Sequence, residues 1–289
     1  MRSPCAIVLS FAVLLCGCSV TPHDPFKPLR KGLAGYEGPI APLTEPQLLR
    51  YQPGPEFVQS LTREVTAEGE TNRAILRARG KLSLAGERRK LEGSISEIDF
   101  NGRTLRSEDV PLLTLKGSMS DRGPLEEVEL DFPWFREEGV EIPERDSEDY
   151  RKWVGMLERV AFELPEDTVK MNTELISSRK LLTLLLEGEE LSEGVRERIL
   201  NSVNKSTLSI RVAGEALYKD VHCIVAIAGG TAEGQMGTAS FSVEMLGHWL
   251  IASETGLSMR YAIAVEAIIR NEGGVERFSM FAELDTDQI

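Results

Sequence analysis

Residues 76–84 read LRARGKLSL, and apolar or small side chains alternate with polar ones throughout this stretch. A period of two places the first set on one face of an extended strand and the charged set on the other. The stretch therefore predicts a β-strand with one buried face and one face in water, as is typical of an antiparallel sheet.

The same alternation surrounds this strand, so residues 57–145 are predicted to form an antiparallel β lobe. The apolar positions change parity between Ile95 and Ile98, which indicates a β-bulge near Ser96–Glu97. Asn101-Gly102 lies between two alternating runs and predicts a tight hairpin, because both residues tolerate positive φ.

Period two returns in residues 207–284. The longest apolar face there is predicted to contain every second residue from Leu257 to Ile269. Between the predicted strands, Gly229–Gly237 (GGTAEGQMG) lacks the lysine and the following helix that phosphate-binding loops require. We interpret it as a flexible hairpin connection.

Helical spacing is found in the middle of the chain. Apolar residues at i, i+3, i+4, i+7 and i+10 predict an amphipathic helix over 146–161, and a second helix is predicted over Glu193–Asn204. Leu181–Leu186 is too short to span a membrane and is predicted to be a buried strand or helix turn. The fold class is therefore α+β and mainly β, with two curved antiparallel meanders and a packed amphipathic helix between them. The second lobe, residues 146–289, contains that helix and the later strands.

Charge and missing motifs exclude several kinds of function. The 289-residue chain has 46 acidic and 33 basic side chains, a net charge of −13, which argues against nucleic-acid binding. It contains no HExxH, CxxC or GxSxG motif, so we expect no metal, no cofactor and no enzymatic activity, with a hydrolase as the remaining alternative. His222 and Cys223 are adjacent on a predicted strand and should point to opposite faces, so they cannot form a nucleophile–base pair.

The N-terminus carries the most specific motif. An 11-residue apolar run, Ala6–Cys16, is too short to cross a bilayer about 30 Å thick, and it ends in Leu15-Cys16-Gly17-Cys18. This sequence resembles the lipobox of bacterial lipoproteins, whose signal peptide is cut before the cysteine once the thiol is diacylated. The resemblance implies a signal peptide over residues 1–17 and lipidation of Cys18.

Several expectations follow from the lipobox. A lipidated Cys18 would attach the protein to a membrane, since more than one acyl chain gives stable anchoring. Ser19 after the cysteine implies the outer membrane, facing the periplasm, if the source is Gram-negative. Residues 18–56 carry eight of the 14 prolines and are predicted to be an extended tether. The alternative is a polyproline segment that binds a partner.

The element order loosely resembles that of LolA/LolB-like lipoprotein carriers, in which a curved antiparallel sheet wraps a helix. No motif of that family matches residue by residue, so no binding residue is inferred from it. Two functions remain open. The first is non-enzymatic binding of an apolar ligand or lipid, suggested by Leu257–Ile269 and Leu181–Leu186. The second is an envelope scaffold or assembly partner that binds protein.

Overall fold

The computed structural model describes residues 24–289 except for residues 68, 146, 148–149, 152–153, 155–162 and 188–192. Cys18 and the whole predicted signal peptide lie outside the described residues. Most of the helix predicted over 146–161 lies outside them too, and its described residues Tyr150, Arg151 and Val154 are helical.

The described part of the chain is mostly β. Its thirteen strands are β1 (Phe57–Ala67), β2 (Glu70–Ala85), β3 (Arg88–Phe100), β4 (Arg103–Arg106), β5 (Leu113–Met119), β6 (Leu125–Asp131), β7 (Glu174–Ile176), β8 (Val203–Ser206), β9 (Ser209–Tyr218), β10 (Val221–Met236), β11 (Ala239–Ala252), β12 (Ser258–Asn271) and β13 (Gly274–Gln288). Its α-helices are α1 (Pro133–Glu137), α2 (Ser178–Glu187) and α3 (Glu193–Ser202). The sequence prediction of a mainly β, α+β protein is confirmed at this level.

All thirteen strands belong to one open antiparallel sheet in the order β6-β5-β3-β2-β1-β13-β12-β11-β10-β9-β7, with β4 on β3 and β8 on β10. The last strand pairs with the first along its length, from Phe57 opposite Gln288 to Ala67 opposite Phe278. This pair joins the earlier run of strands to the later one, so the middle of the sheet is built from the first and the last strand.

Two local predictions in the first lobe are confirmed. Arg77 pairs with Glu97 and Ala78 with Ile95, so Ser96 is the extra residue of a bulge. The hairpin between β3 and β4 turns at Asn101-Gly102, which have φ of 51° and 78°.

One prediction in the second half needs correction, and two are confirmed. The glycine-rich stretch is not a loop, because β10 continues through it to Met236. Its glycines allow close approach, since a Cβ at Gly230 would lie 2.3 Å from the carbonyl oxygen of Thr207. The Leu181–Leu186 run lies within α2, so of the two alternatives predicted for it the helical one is confirmed. The helix predicted from Glu193 is confirmed as α3.

The apolar face predicted from Leu257 to Ile269 is interrupted near its start. The partners of β12 shift register between Leu250 and Ile251, and this irregularity moves Met259 to the opposite side of the sheet from Tyr261. An extra residue in a strand moves all later side chains of that strand to the opposite face. A period-two pattern read from the sequence does not show where such a residue lies.

The two faces of the sheet have different coverings. The front face, defined as the one carrying Trp249, Ile251 and Val265, holds the largest buried cluster and packs against α2 through Leu181 and Leu182. The back face is covered over β10–β13 by residues 24–42 and is charged over β1–β3.

Residues 24–56 pack against the sheet and do not extend away from it as a tether. Leu29, Tyr36, Leu49 and Tyr51 in this segment are buried. Its backbone also pairs with the body, for example Ala41 with Glu215. The prolines prevent regular pairing but leave alternate apolar side chains free to reach the core. The spacer interpretation now concerns only residues 18–23, which lie outside the described residues.

Candidate functional site

The front face carries a band of apolar side chains that are only half-buried. We call this band the front patch, and its members are Leu61, Val65, Leu76, Ile98, Ile263, Phe278 and Met280. Cross-strand pairing brings them together on five adjacent strands, since Leu61 pairs with both Leu76 and Leu284 and Val65 pairs with Met280.

The front patch lies where the described covering segments end. At the other end of the same strands, Phe57, Leu82 and Leu91 are buried in one cluster with Leu49 and Leu164 from those segments. Leu61, Val65 and Phe278, in contrast, pack against none of the buried clusters formed by the described residues. Leu76 and Ile98 pack at the margin of one buried cluster, and Ile263 and Met280 at the margin of another. The period-two pattern therefore continues past the packed interior only at the centre of the patch, and a partly covered apolar surface of this kind can mark a binding site.

One cation, Arg63, lies among these apolar residues. It shares the front-facing parity of Leu61 and Val65, it is exposed, and it pairs with Ala74 on one side and Ala282 on the other. The two alanines are small, so the long arginine side chain projects beyond its neighbours.

Arg63 makes no ion pair within the described part of the chain. The back-face arginines of the same region do, since Arg73 lies 3.2 Å from Glu64 and Arg77 lies 3.8 Å from Glu97. Burial raises the pKa of the Tyr261 hydroxyl to about 12, and the positive charge of Arg63 opposes that rise. Arg63 is therefore within electrostatic reach of a phenol on the same face.

A second polar cluster is buried on the back face. The Nδ1 of His248 is 2.8 Å from the carbonyl oxygen of Ala34, and its ring centroid is 5.7 Å from that of Tyr36. His248 Nε2 and Arg260 Nε are buried and have no hydrogen-bond partner among the described residues. Burial lowers the pKa of His248 and nearby Arg260 lowers it further, whereas the hydrogen bond to Ala34 acts to raise it, so the net effect of folding favours the neutral ring.

An ionic cluster next to it joins the β9–β10 turn to the end of the chain. Lys219 Nζ lies 2.9 Å from both carboxylate oxygens of Asp285 and 2.6 Å from Asp287. The Tyr218 hydroxyl donates to Asp285 at 2.7 Å. Such a saturated network is typical of a structural contact.

The candidate catalytic residues from the sequence do not assemble. Cys223 is buried, and burial raises the pKa of its thiol to about 12, whereas His222 is exposed on the opposite face of β10. The prediction that these two point apart is confirmed. Among the described residues no group of three or more His, Cys, Asp or Glu side chains could hold a metal ion. Cys18, the predicted lipidation site, lies outside the described residues, and no helix within them is long and apolar enough to cross a bilayer.

The chain matches no protein-family model and no curated protein. Among solved structures, the crystal structure of a DUF1329 family protein from Desulfovibrio piger ATCC 29098 is similar to it at 10% sequence identity. The similarity covers 80% of this chain and 83% of that chain, with a TM-score of 0.22. A TM-score this low supports no argument about function.

Sequence reasoning did not single out Arg63. The signal was present in the sequence, because Leu61, Arg63 and Val65 alternate in parity, but residues 57–65 also fitted a helix. The cation could be recognised only after the pairing of β1 with β13 and β2 was known.

Proposed function

We propose that this protein is a lipid-anchored lipoprotein of the cell envelope, without enzymatic activity, whose front patch binds an apolar ligand or lipid. The anchor is a diacylated Cys18, and the proposed location is the periplasmic side of an outer membrane. In this proposal the body consists of antiparallel meanders before and after an amphipathic helix over 146–161.

The front patch supports this proposal. Seven half-buried apolar side chains lie on five adjacent strands in place of the polar residues that a solvated sheet face normally carries. Fully burying a leucine-sized side chain contributes about 1.5–3 kcal/mol, so covering the exposed part of several would contribute a few kcal/mol. An apolar molecule of elongated shape could gain this energy by lying across the strands.

The test is native mass spectrometry of the whole mature chain, with Cys18→Ser, exported behind an ordinary cleavable leader so that it stays in solution. We expect a fraction of the protein to carry a co-purifying lipid that organic extraction removes. A mass equal to that of the bare chain, with no uptake of an added apolar fluorophore, would contradict the proposal. A clean mass together with one specifically captured envelope protein would favour the scaffold alternative.

Two variants locate the site. Leu76→Gln places an amide in the front patch. Ile75→Gln places the same amide one residue earlier on β2, where the side chain points to the back face. Both native side chains are half-buried. We expect Leu76→Gln to reduce lipid retention and Ile75→Gln to leave it unchanged. Equal retention by both variants would exclude the front patch as the site.

A further inference from the structure

The charge distribution on the front face is unusual. In five neighbouring stretches of the sheet, the residues on the front face are apolar, except for Arg63 and the hydroxyl of Tyr261. These stretches are Leu61–Val65, Ala74–Ala78, Ile95–Phe100, Tyr261–Ile269 and Phe278–Leu284. The acidic residues of the adjacent positions face backward, where Glu64 and Glu97 pair with arginines. Within these five described stretches, Arg63 is thus the one positive charge on an apolar surface, in a strongly acidic protein.

We propose that Arg63 binds the head of a single-chain lipid that carries one negative charge, such as a carboxylate, while the acyl chain lies on the front patch. This inference rests on the proposed function, and it adds the chemical class of the ligand.

Charge complementarity selects this occupant. A guanidinium presents parallel N–H donors that match the two oxygens of a carboxylate, and this pairing is stronger when apolar surface excludes water. A head with two negative charges would leave one unpaired at Arg63, because the next forward-facing cation on this part of the described sheet is Arg103 of β4, which pairs with Phe100 three strands away. A neutral lipid would leave Arg63 covered without a counter-charge, which is unfavourable.

The geometry also places the head next to the chain site. Ala74 and Ala282, on either side of Arg63, leave room around its side chain. Leu61, Val65, Leu76 and Met280 surround this position on three strands.

The test is titration calorimetry on the mature Cys18→Ser protein with two ligands, palmitate and hexadecanol. Hexadecanol has a hydrocarbon chain of the same number of carbons and no charge. We expect Arg63→Gln to weaken palmitate binding about tenfold and not to weaken hexadecanol binding. Arg63→Lys should give an intermediate loss, because it keeps the charge but not the paired donors. Arg79→Gln, on the back face of β2, is the matched control and should bind both ligands as the parent protein does.

Each outcome has a distinct meaning. If Arg63→Gln binds palmitate as tightly as the parent does, the head-group assignment is wrong, while hexadecanol binding still supports the front patch. If the parent binds neither ligand, the proposed function fails as well. Tighter binding of a phosphate monoester lipid than of palmitate would overturn the choice of a singly charged head. Unchanged thermal unfolding of the Arg63 variants shows that the differences arise from binding.

Discussion

The ring nitrogen Nδ1 of His248 lies 2.8 Å from the carbonyl oxygen of Ala34, 214 residues earlier in the chain. A carbonyl oxygen can only accept, so Nδ1 carries the proton and Nε2 has a free lone pair in a buried region. The bond holds the N-terminal segment against the back of β11. A fully buried histidine thus links the segment that follows the proposed anchor to the sheet.

This contact predicts a loss of stability in mild acid. Burial and the charge of Arg260 outweigh the hydrogen bond to Ala34 and lower the pKa of His248 below 6.5, so folding favours the neutral ring. The stabilisation is complete above pH 6.5 and decreases as the pH falls through 6.5, because the unfolded chain then binds a proton that the folded chain excludes. Urea unfolding at a series of pH values from 5 to 8 measures the slope.

A pair of variants isolates the histidine. In His248→Asn the amide nitrogen replaces Nδ1 as the donor to Ala34 and does not titrate, so we expect a flatter pH dependence below 6.5. His222→Asn, at an exposed position, should keep the parent slope. If the His248→Asn protein retains the full slope, another group is responsible for it.

Asp285 predicts a second pH effect in a lower range. Burial acts to raise the pKa of its carboxyl, but the hydrogen bonds from Lys219 and Tyr218 outweigh burial and lower it below 3.8. The stabilisation from this charge is present above pH 3.8 and is lost as the pH falls through the lowered pKa. Since both partners are partly exposed, we expect Asp285→Asn to cost about 1 kcal/mol at pH 7.

Thermal unfolding at pH 7 and near pH 3 tests this expectation, with Asp287→Asn as the control. Asp287 contacts the same lysine but is 67% exposed, so its loss should matter less. A deficit in Asp285→Asn that persists unchanged in acid would show that shape rather than charge is responsible.

Two glycines of β10 give a matched pair of predictions. A Cβ added at Gly234 would lie 2.4 Å from the ring of Phe241 and 2.8 Å from the carbonyl oxygen of Ser202. At Gly229 the one neighbour within 4 Å among the described residues is the carbonyl oxygen of Met245, at 3.9 Å. We expect Gly234→Ala to lose about 1–3 kcal/mol of unfolding free energy and Gly229→Ala to be neutral or slightly stabilising. Equal effects in denaturant titrations would mean that this stretch is loose and does not pair as β10 with β8 and β11.

The sequence predicted the strands well wherever a hairpin signal bounded them. Asn101-Gly102 and the parity change near Ser96 each have a local physical cause, so both could be identified from neighbouring residues. The prediction of a loop within β10 was wrong, because glycines within strands and glycines in turns look alike in sequence. Their role here depends on Thr207 and Phe241, which are distant in the chain or on the next strand.

Long-range features could not be predicted by counting. Nothing local in Phe57–Ala67 shows that it pairs with the last strand, and this pairing creates the front patch around Arg63. Proline content likewise indicated that residues 18–56 avoid regular structure, but it gave no sign that Tyr36 and Leu49 would be buried. Burial depends on a partner surface, which only the assembled sheet supplies.

The anchor predicts a labelling result that is independent of the fold. Cys18→Ser removes the thiol that the lipobox presents, so cells fed labelled palmitate should yield an unlabelled, uncleaved precursor. Cys16→Ser changes a residue of the same motif that is not acylated, so that variant should keep the label and the membrane fraction. Stable anchoring needs more than one acyl chain, and a Cys18→Ser chain would carry none. Any Cys18→Ser protein that is processed should therefore be released from membranes. Label retained by Cys18→Ser would place the modification elsewhere and remove the basis for the envelope location.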